Sequence, residues 1–140
     1  MKKIALYTLA FCLVYMSACR TEKDEIAALH QEIMRIHDEI MPEMRTIGKL
    51  KTKISEEIIA IEQENKEEAG KLRAIREELD EAANAMRVWM KEYQKPTETM
   101  KYEEALQYLQ QERERMLEVK QKMEKSIEQA KLALGEKEPV

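Results

Sequence analysis

An all-α fold, an elongated antiparallel three-helix bundle of coiled-coil type, is what this 140-residue sequence predicts. Three observations lead there. Charged residues make up 37% of the chain and aromatics only 5%, which is the composition of long helices and coiled coils. Apolar residues recur at steps of three and four over long stretches, and strand-type alternation is absent. Only three glycines and three prolines interrupt the pattern. A helix with a single apolar stripe must bury it against another helix, and short connections imply antiparallel neighbours.

The first helical stretch is expected over residues 26–63. Ile26, Leu29, Ile33, Ile36 and Ile40, then Ile47, Leu50, Ile54, Ile58 and Ile61, occupy one face. Pro42 lies inside this run, removes one backbone donor and should bend the axis. Proline is also welcome at a first helical position, but Met41 would then be the cap and offers no side-chain oxygen. The apolar phase carries across from Ile40 to Ile47, so one kinked helix is the expectation. Between Ile61 and Leu72 the phase slips. A turn near Glu64–Lys66 and a coiled-coil stutter in an unbroken helix both explain the slip.

A second helix is expected over 67–94, with Leu72, Ile75, Leu79, Ala82, Met86, Trp89 and Tyr93 on its stripe. Lys95-Pro96-Thr97 is the sharpest boundary, since proline disfavours helix for the residue before it. Thr97 or Thr99 is positioned to cap a third helix over 101–134. That face carries Leu106, Leu109, Met116, Val119, Met123, Ile127, Ala130 and Leu134, with Arg113 and Lys120 narrowing it. Glu67–Lys71 and Glu118–Lys122 stand four apart in the favourable order and are expected on a solvated face. Gly135 ends the helix, and 135–140 is read as a tail.

The N-terminus has a different character. Lys2 and Lys3 precede an apolar run from Ile4 to Met16, and Met16-Ser17-Ala18-Cys19 closes it with small residues before a cysteine. A charged start, a short apolar run and small residues describe a secretory signal peptide. The run is shorter than the roughly 20 residues a membrane-spanning helix needs. The ending resembles the lipobox of bacterial lipoproteins, with Met16 where Leu is usual. That resemblance implies a signal peptide over 1–18 and a Cys19 bearing diacylglycerol and an N-acyl chain. Residues 19–25 then read as the lipidated cysteine and a polar tether. Two or more acyl chains make a stable anchor where one does not.

Removing 18 of 140 residues leaves 122, and the loss of Lys2 and Lys3 takes the formal charge from −4 to −6. An acidic chain without a basic patch is a poor partner for nucleic acid. Cys12 leaves with the signal and Cys19 is blocked by lipid, so no disulfide or nucleophilic thiol remains. The three glycines are isolated and form no phosphate-cradling loop. The carboxylates lie on outer helical faces. No enzyme, and no small-molecule substrate, is expected.

Methionine is the anomaly: of ten, eight follow Cys19. His30, Met34, His37, Met41 and Met44 make a second stripe beside the isoleucines. If the chain folds back near residue 65, antiparallel partners have numbers summing to about 130, within about one turn. Met44 then faces Met86, Met41 faces Trp89 and His37 faces Tyr93, with Met90 at the level of Ile40. His37, Met41, Met44, Met86 and Met90 are therefore the candidate Cu(I) or Ag(I) ligands, since thioether and imidazole suit soft monovalent metals. The alternative is that methionine fills irregular gaps at a kinked junction. A third reading is an exposed Met-rich surface for a holdase-type periplasmic chaperone.

His37-Asp38-Glu39-Ile40-Met41-Pro42, Trp89-Met90 with Tyr93 and Pro96, and Tyr108-Leu109 followed by Glu112 resemble a group of small helical lipoproteins of Bacteroidota-type bacteria. Some of its members carry the label viral A-type inclusion protein. The resemblance implies a helical fold and a lipid-anchored position in the cell envelope, at the outer membrane, and carries over no functional residues. The function expected is that of a non-enzymatic structural or adaptor module whose partners are the membrane and an envelope protein.

Overall fold

The computed structural model describes residues 21–136, and every regular element among them is helical. The expected signal peptide, its lipobox-like ending and Cys19 lie outside the described residues. The elements are α1 (Glu22–Ile40), α2 (Glu43–Ile61), α3 (Lys66–Glu92) and α4 (Tyr102–Ala133). They pack together through one continuous apolar core.

α1 starts earlier than the apolar period suggests. Thr21 is its N-cap, its side chain accepting from the Asp24 N–H at 3.2 Å while Asp24 accepts from the Thr21 N–H at 3.1 Å. This reciprocal capping box satisfies two orphan donors, and Glu22, Asp24 and Glu25 suit the positive end of the helix dipole. Residues 22–25 are thus helix rather than tether, because a polar, acidic first turn is what a helix start requires.

Met41 and Pro42 interrupt the ladder without leaving helical backbone space, at φ/ψ of −57/−37° and −58/−27°. Pro42 has no N–H, and Met44 and Arg45 bond three residues back, to Met41 and Pro42 carbonyls at 3.2 and 3.1 Å. α1 and α2 are one rod with an elbow. At its far end Asn65 accepts from the Glu68 N–H at 3.1 Å and opens α3. The phase slip after Ile61 is therefore a turn and not a stutter.

α4 begins at Tyr102 with Lys101 as an N-cap that makes no side-chain hydrogen bond. The threonine cap expected from Thr97 or Thr99 does not form. Those hydroxyls bond each other at 3.0 Å, inside a turn closed by Met100 N–H to Thr97 carbonyl at 3.1 Å. α4 ends as a Schellman motif: Gly135 takes φ +66°, its N–H reaches Leu132, and the Glu136 N–H reaches Lys131 at 2.9 Å. A side chain at residue 135 would be strained in that left-handed backbone.

Pairs across the seams order the rods. Glu62 meets Arg73 and Lys51 meets Asp80 between α2 and α3, and His30 meets Tyr93 lower down, so one number falls as the other rises. Glu92–Arg115 and Glu81–Lys122 behave alike between α3 and α4. Between α1 and α4 the numbers rise together: Glu25 with Tyr102, Glu32 with Arg113, Glu39 with Lys120. Arg113 and Lys120 therefore bridge to α1. Lys122 reaches Glu81 at 3.0 Å, whereas Glu67–Lys71 forms its helical pair at 2.9 Å. These pairs are largely exposed and add little stability.

Ile33, Ile54, Leu79, Met86, Leu109, Met116 and Met123 are wholly enclosed. Three of these seven are methionines, so thioethers are ordinary filling for this core.

Candidate functional site

Among the described residues, the dense cluster of aromatic and histidine side chains lies where lower α1, the end of α3 and early α4 meet. Trp89, 2% exposed, is stacked on Tyr93 with ring centroids 4.7 Å apart. His37 tilts against Trp89 at 5.6 Å, and His30 lies parallel to Tyr93 at 6.0 Å. Tyr108 adds a further ring 6.3 Å from Tyr93. Such offset arrangements add somewhat to the burial of the rings themselves.

Hydrogen bonds hold this layer in register. His30 Nδ1 and the Tyr93 hydroxyl are 2.6 Å apart, the donor being set by the imidazole tautomer. The Gln94 N–H, freed where α3 ends, donates to the Tyr108 hydroxyl at 2.9 Å. Burial, reinforced by Tyr108 and Glu112, pushes the Tyr93 hydroxyl up to about 12, so it remains a neutral phenol. Burial and then Lys95 hold His30 below its ordinary value of 6.5, so its neutral form is the stable one.

Glu112 is the polar residue in this layer that sequence reasoning passed over. It is 4% exposed; one carboxylate oxygen accepts from Arg115 Nη1 at 2.8 Å, and Arg115 also donates to Glu92 at 2.6 Å. The signal was present, since Leu109, Glu112 and Met116 stand at steps of three and four on one face. The other Glu112 oxygen and the Trp89 indole N–H are buried with no protein hydrogen-bond partner.

The proposed soft-ligand set is distributed unevenly. His37 donates from Nδ1 to Asp38 at 2.9 Å, which would leave the Nε2 lone pair for a ligand. Met41 and Met44 are half-buried against the core near the elbow. Met86 is fully enclosed, while Met90 is 38% exposed on another face of α3. Four residues of a helix turn about 40° past a full circle, enough here to put the two thioethers in different environments.

The register departs from the expected pairing by about one turn at His37–Trp89, which the expectation allows, and by about two turns at His30–Tyr93. His37 meets Trp89 instead of Tyr93, and His30 meets Tyr93. From Glu62 to His30 the rod uses 62 − 30 = 32 residues, where α3 uses 93 − 73 = 20 from Arg73 to Tyr93. The Glu62–Arg73 pair reaches across the turn through long side chains, so residue counts on the two rods need not match. Met34, Met41 and Met44 are neither free nor wholly covered.

Among the described residues no three His, Cys, Asp or Glu side chains gather as a metal-holding group, and no helix is long and apolar enough to cross a membrane. Comparison with protein-family models, curated proteins and solved structures finds no match to this chain.

Proposed function

We propose that this chain is a lipid-anchored adaptor of the bacterial cell envelope, a non-enzymatic helical module held at the outer membrane through acylated Cys19. The observation that carries the reading is the nearness of a capped helix to a lipobox-like cysteine. Met16-Ser17-Ala18-Cys19 is followed after one residue, Arg20, by Thr21, whose side chain caps α1. Only Arg20 and Thr21 separate the acylated position from Glu22, the first helical residue, so the bundle stands close to its anchor. An antiparallel coiled-coil-like bundle of bent and straight rods is a stiff spacer, suited to presenting a surface at a set height. A mature charge of −6 disfavours nucleic acid and anionic lipid as partners.

The membership in the helical lipoprotein group stands with this proposal, resting on the motifs around Pro42, Trp89 and Tyr108. The Cu(I)/Ag(I) and holdase readings are weaker. Met86 is enclosed, and Met34, Met41 and Met44 already pack on the core.

Metabolic labelling with a palmitate analogue tests the anchor. The wild-type chain should label and fractionate with membranes, and Cys19→Ser should stay unprocessed and unlabelled. An unlabelled wild-type chain would refute the anchor. Crosslinking in intact envelopes should then join the chain to a specific envelope protein; its failure to do so would remove the adaptor role.

A further inference from the structure

The turn between α2 and α3 has an unusual sequence for a chain reversal. Glu62-Gln63-Glu64-Asn65-Lys66 holds no glycine or proline, and all but Asn65 are good helix formers. Its backbone has only partly left the helix. Glu62 stays helical at φ/ψ −58/−34°, and the Asn65 N–H still bonds to the Ile61 carbonyl at 2.7 Å. Asn65 itself, at −140/79°, lies outside helical space and caps α3. With 63–65 at helical angles, the N–H groups of Lys66, Glu67 and Glu68 would bond to the carbonyls of Glu62, Gln63 and Glu64. The loss would be one cap bond, from the Glu68 N–H to Asn65. The seam is already spaced for this: Ile58, Ile61, Asn65, Ala69 and Leu72 follow at steps of three and four. The eleven residues from Ile61 to Leu72 match three turns of an unbroken helix with a stutter.

We infer that two copies of this chain exchange halves through this turn: α2 and α3 join into one helix, and α1–α2 of each copy packs on α3–α4 of the other. Such exchange is a low-cost route to a dimer, because the contacts across the seams are kept and only the turn changes. The aromatic layer is then built from two chains, with His30 and His37 of one copy on Tyr93 and Trp89 of the other. Lys51–Asp80 likewise becomes a contact between copies. Asn65, exposed in the monomer, moves into the seam near the two-fold axis, where a paired asparagine sets register at a cost in stability. Bringing two chains together opposes the exchange, so the dimer fraction rises with concentration. The joined helix, from Glu22 to Glu92, spans about 105 Å and sends the two N-termini to opposite poles. On the anchor reading proposed above, the exchanged dimer carries acyl chains at both ends.

The test co-expresses two full-length copies with different tags, one carrying Lys51→Cys and the other Asp80→Cys, and treats them with a short bismaleimide. These positions meet across the α2–α3 seam, and losing their largely exposed pair costs little. A monomer cannot make this link, so a mixed 51–80 link, mapped by peptide mass, reports exchange. It should form in the otherwise wild-type background and rise at least about five-fold in Asn65→Leu, which removes both the cap and the polar seam residue. It should vanish in Lys66→Pro, because proline is welcome as the first residue of α3 but clashes in a continuous helix. No mixed link in the wild-type background, or an equal link in Lys66→Pro, overturns the inference. So does an equal yield between two Lys51→Cys copies, which exchange holds about 44 Å apart along the joined helix. If Lys66→Pro loses its helical circular dichroism, the mixed pair against that twin decides alone. A link between copies without an added cysteine reports a free Cys19, which defeats the anchor and not the exchange.

Discussion

The two ends of the bundle are built on different principles. Around the α2–α3 turn the core is aliphatic: Leu50, Ile54, Ile58, Ala69, Leu72 and Leu79. At the other end, lower α1, the end of α3 and early α4 bury Trp89 and Glu112 and half-bury Tyr93, Tyr108 and His30, with specific hydrogen bonds. Aliphatic contact is non-directional and tolerates sliding. The aromatic and polar layer does not, because each wrong register strands a buried donor or acceptor. The distal end supplies burial and the basal end supplies register.

The comparison breaks most sharply at Trp89. Trp89→Ala should cost about 3–5 kcal/mol in urea denaturation and broaden the transition, since it removes burial and the centre of the stack together. At the aliphatic end, Ile54→Ala should cost about 2–5 kcal/mol but Ile54→Leu under about 1.5, with cooperativity kept. If Trp89→Phe were as harmless as Ile54→Leu, the basal layer would be burial and nothing more.

The buried carboxylate sharpens the contrast. Arg115→Met leaves Glu112 without its donor and should destabilise by about 1–3 kcal/mol. Adding Glu112→Leu should recover most of the loss, because replacing both partners strands nothing. A double variant no more stable than Arg115→Met would contradict this account.

The pH dependence should report the same layer. Folded His30 holds its proton less tightly than the unfolded chain does, so unfolding takes up a proton. Its contribution to stability is complete above about pH 6.5 and declines as pH falls from there toward the lowered folded value. The slope of unfolding free energy just below pH 6.5 should flatten in His30→Gln. An unchanged slope would place the titrating group elsewhere.

The smallest effects belong to the elbow methionines. Met41→Leu with Met44→Leu conserves volume and should cost under about 1.5 kcal/mol. Trp89 fluorescence should not respond to stoichiometric Ag(I) in either form. A wild-type quench lost in the double variant would restore the metal reading.

The sequence left the slip after Ile61 open between a turn and a stutter, but by itself it determined the all-helical class and the interruptions at Pro42 and Pro96. Both follow from short-range physics: the 3.6-residue period, the missing N–H of Pro42 and the backbone restriction before Pro96 are properties of neighbours in the chain. The Glu112 position was equally legible, from its place between Leu109 and Met116. Only the tertiary structure decided that His37 meets Trp89 and His30 meets Tyr93, that Met86 is enclosed while Met90 is exposed, and that Lys122 turns to Glu81. These depend on how far the rods slide along one another.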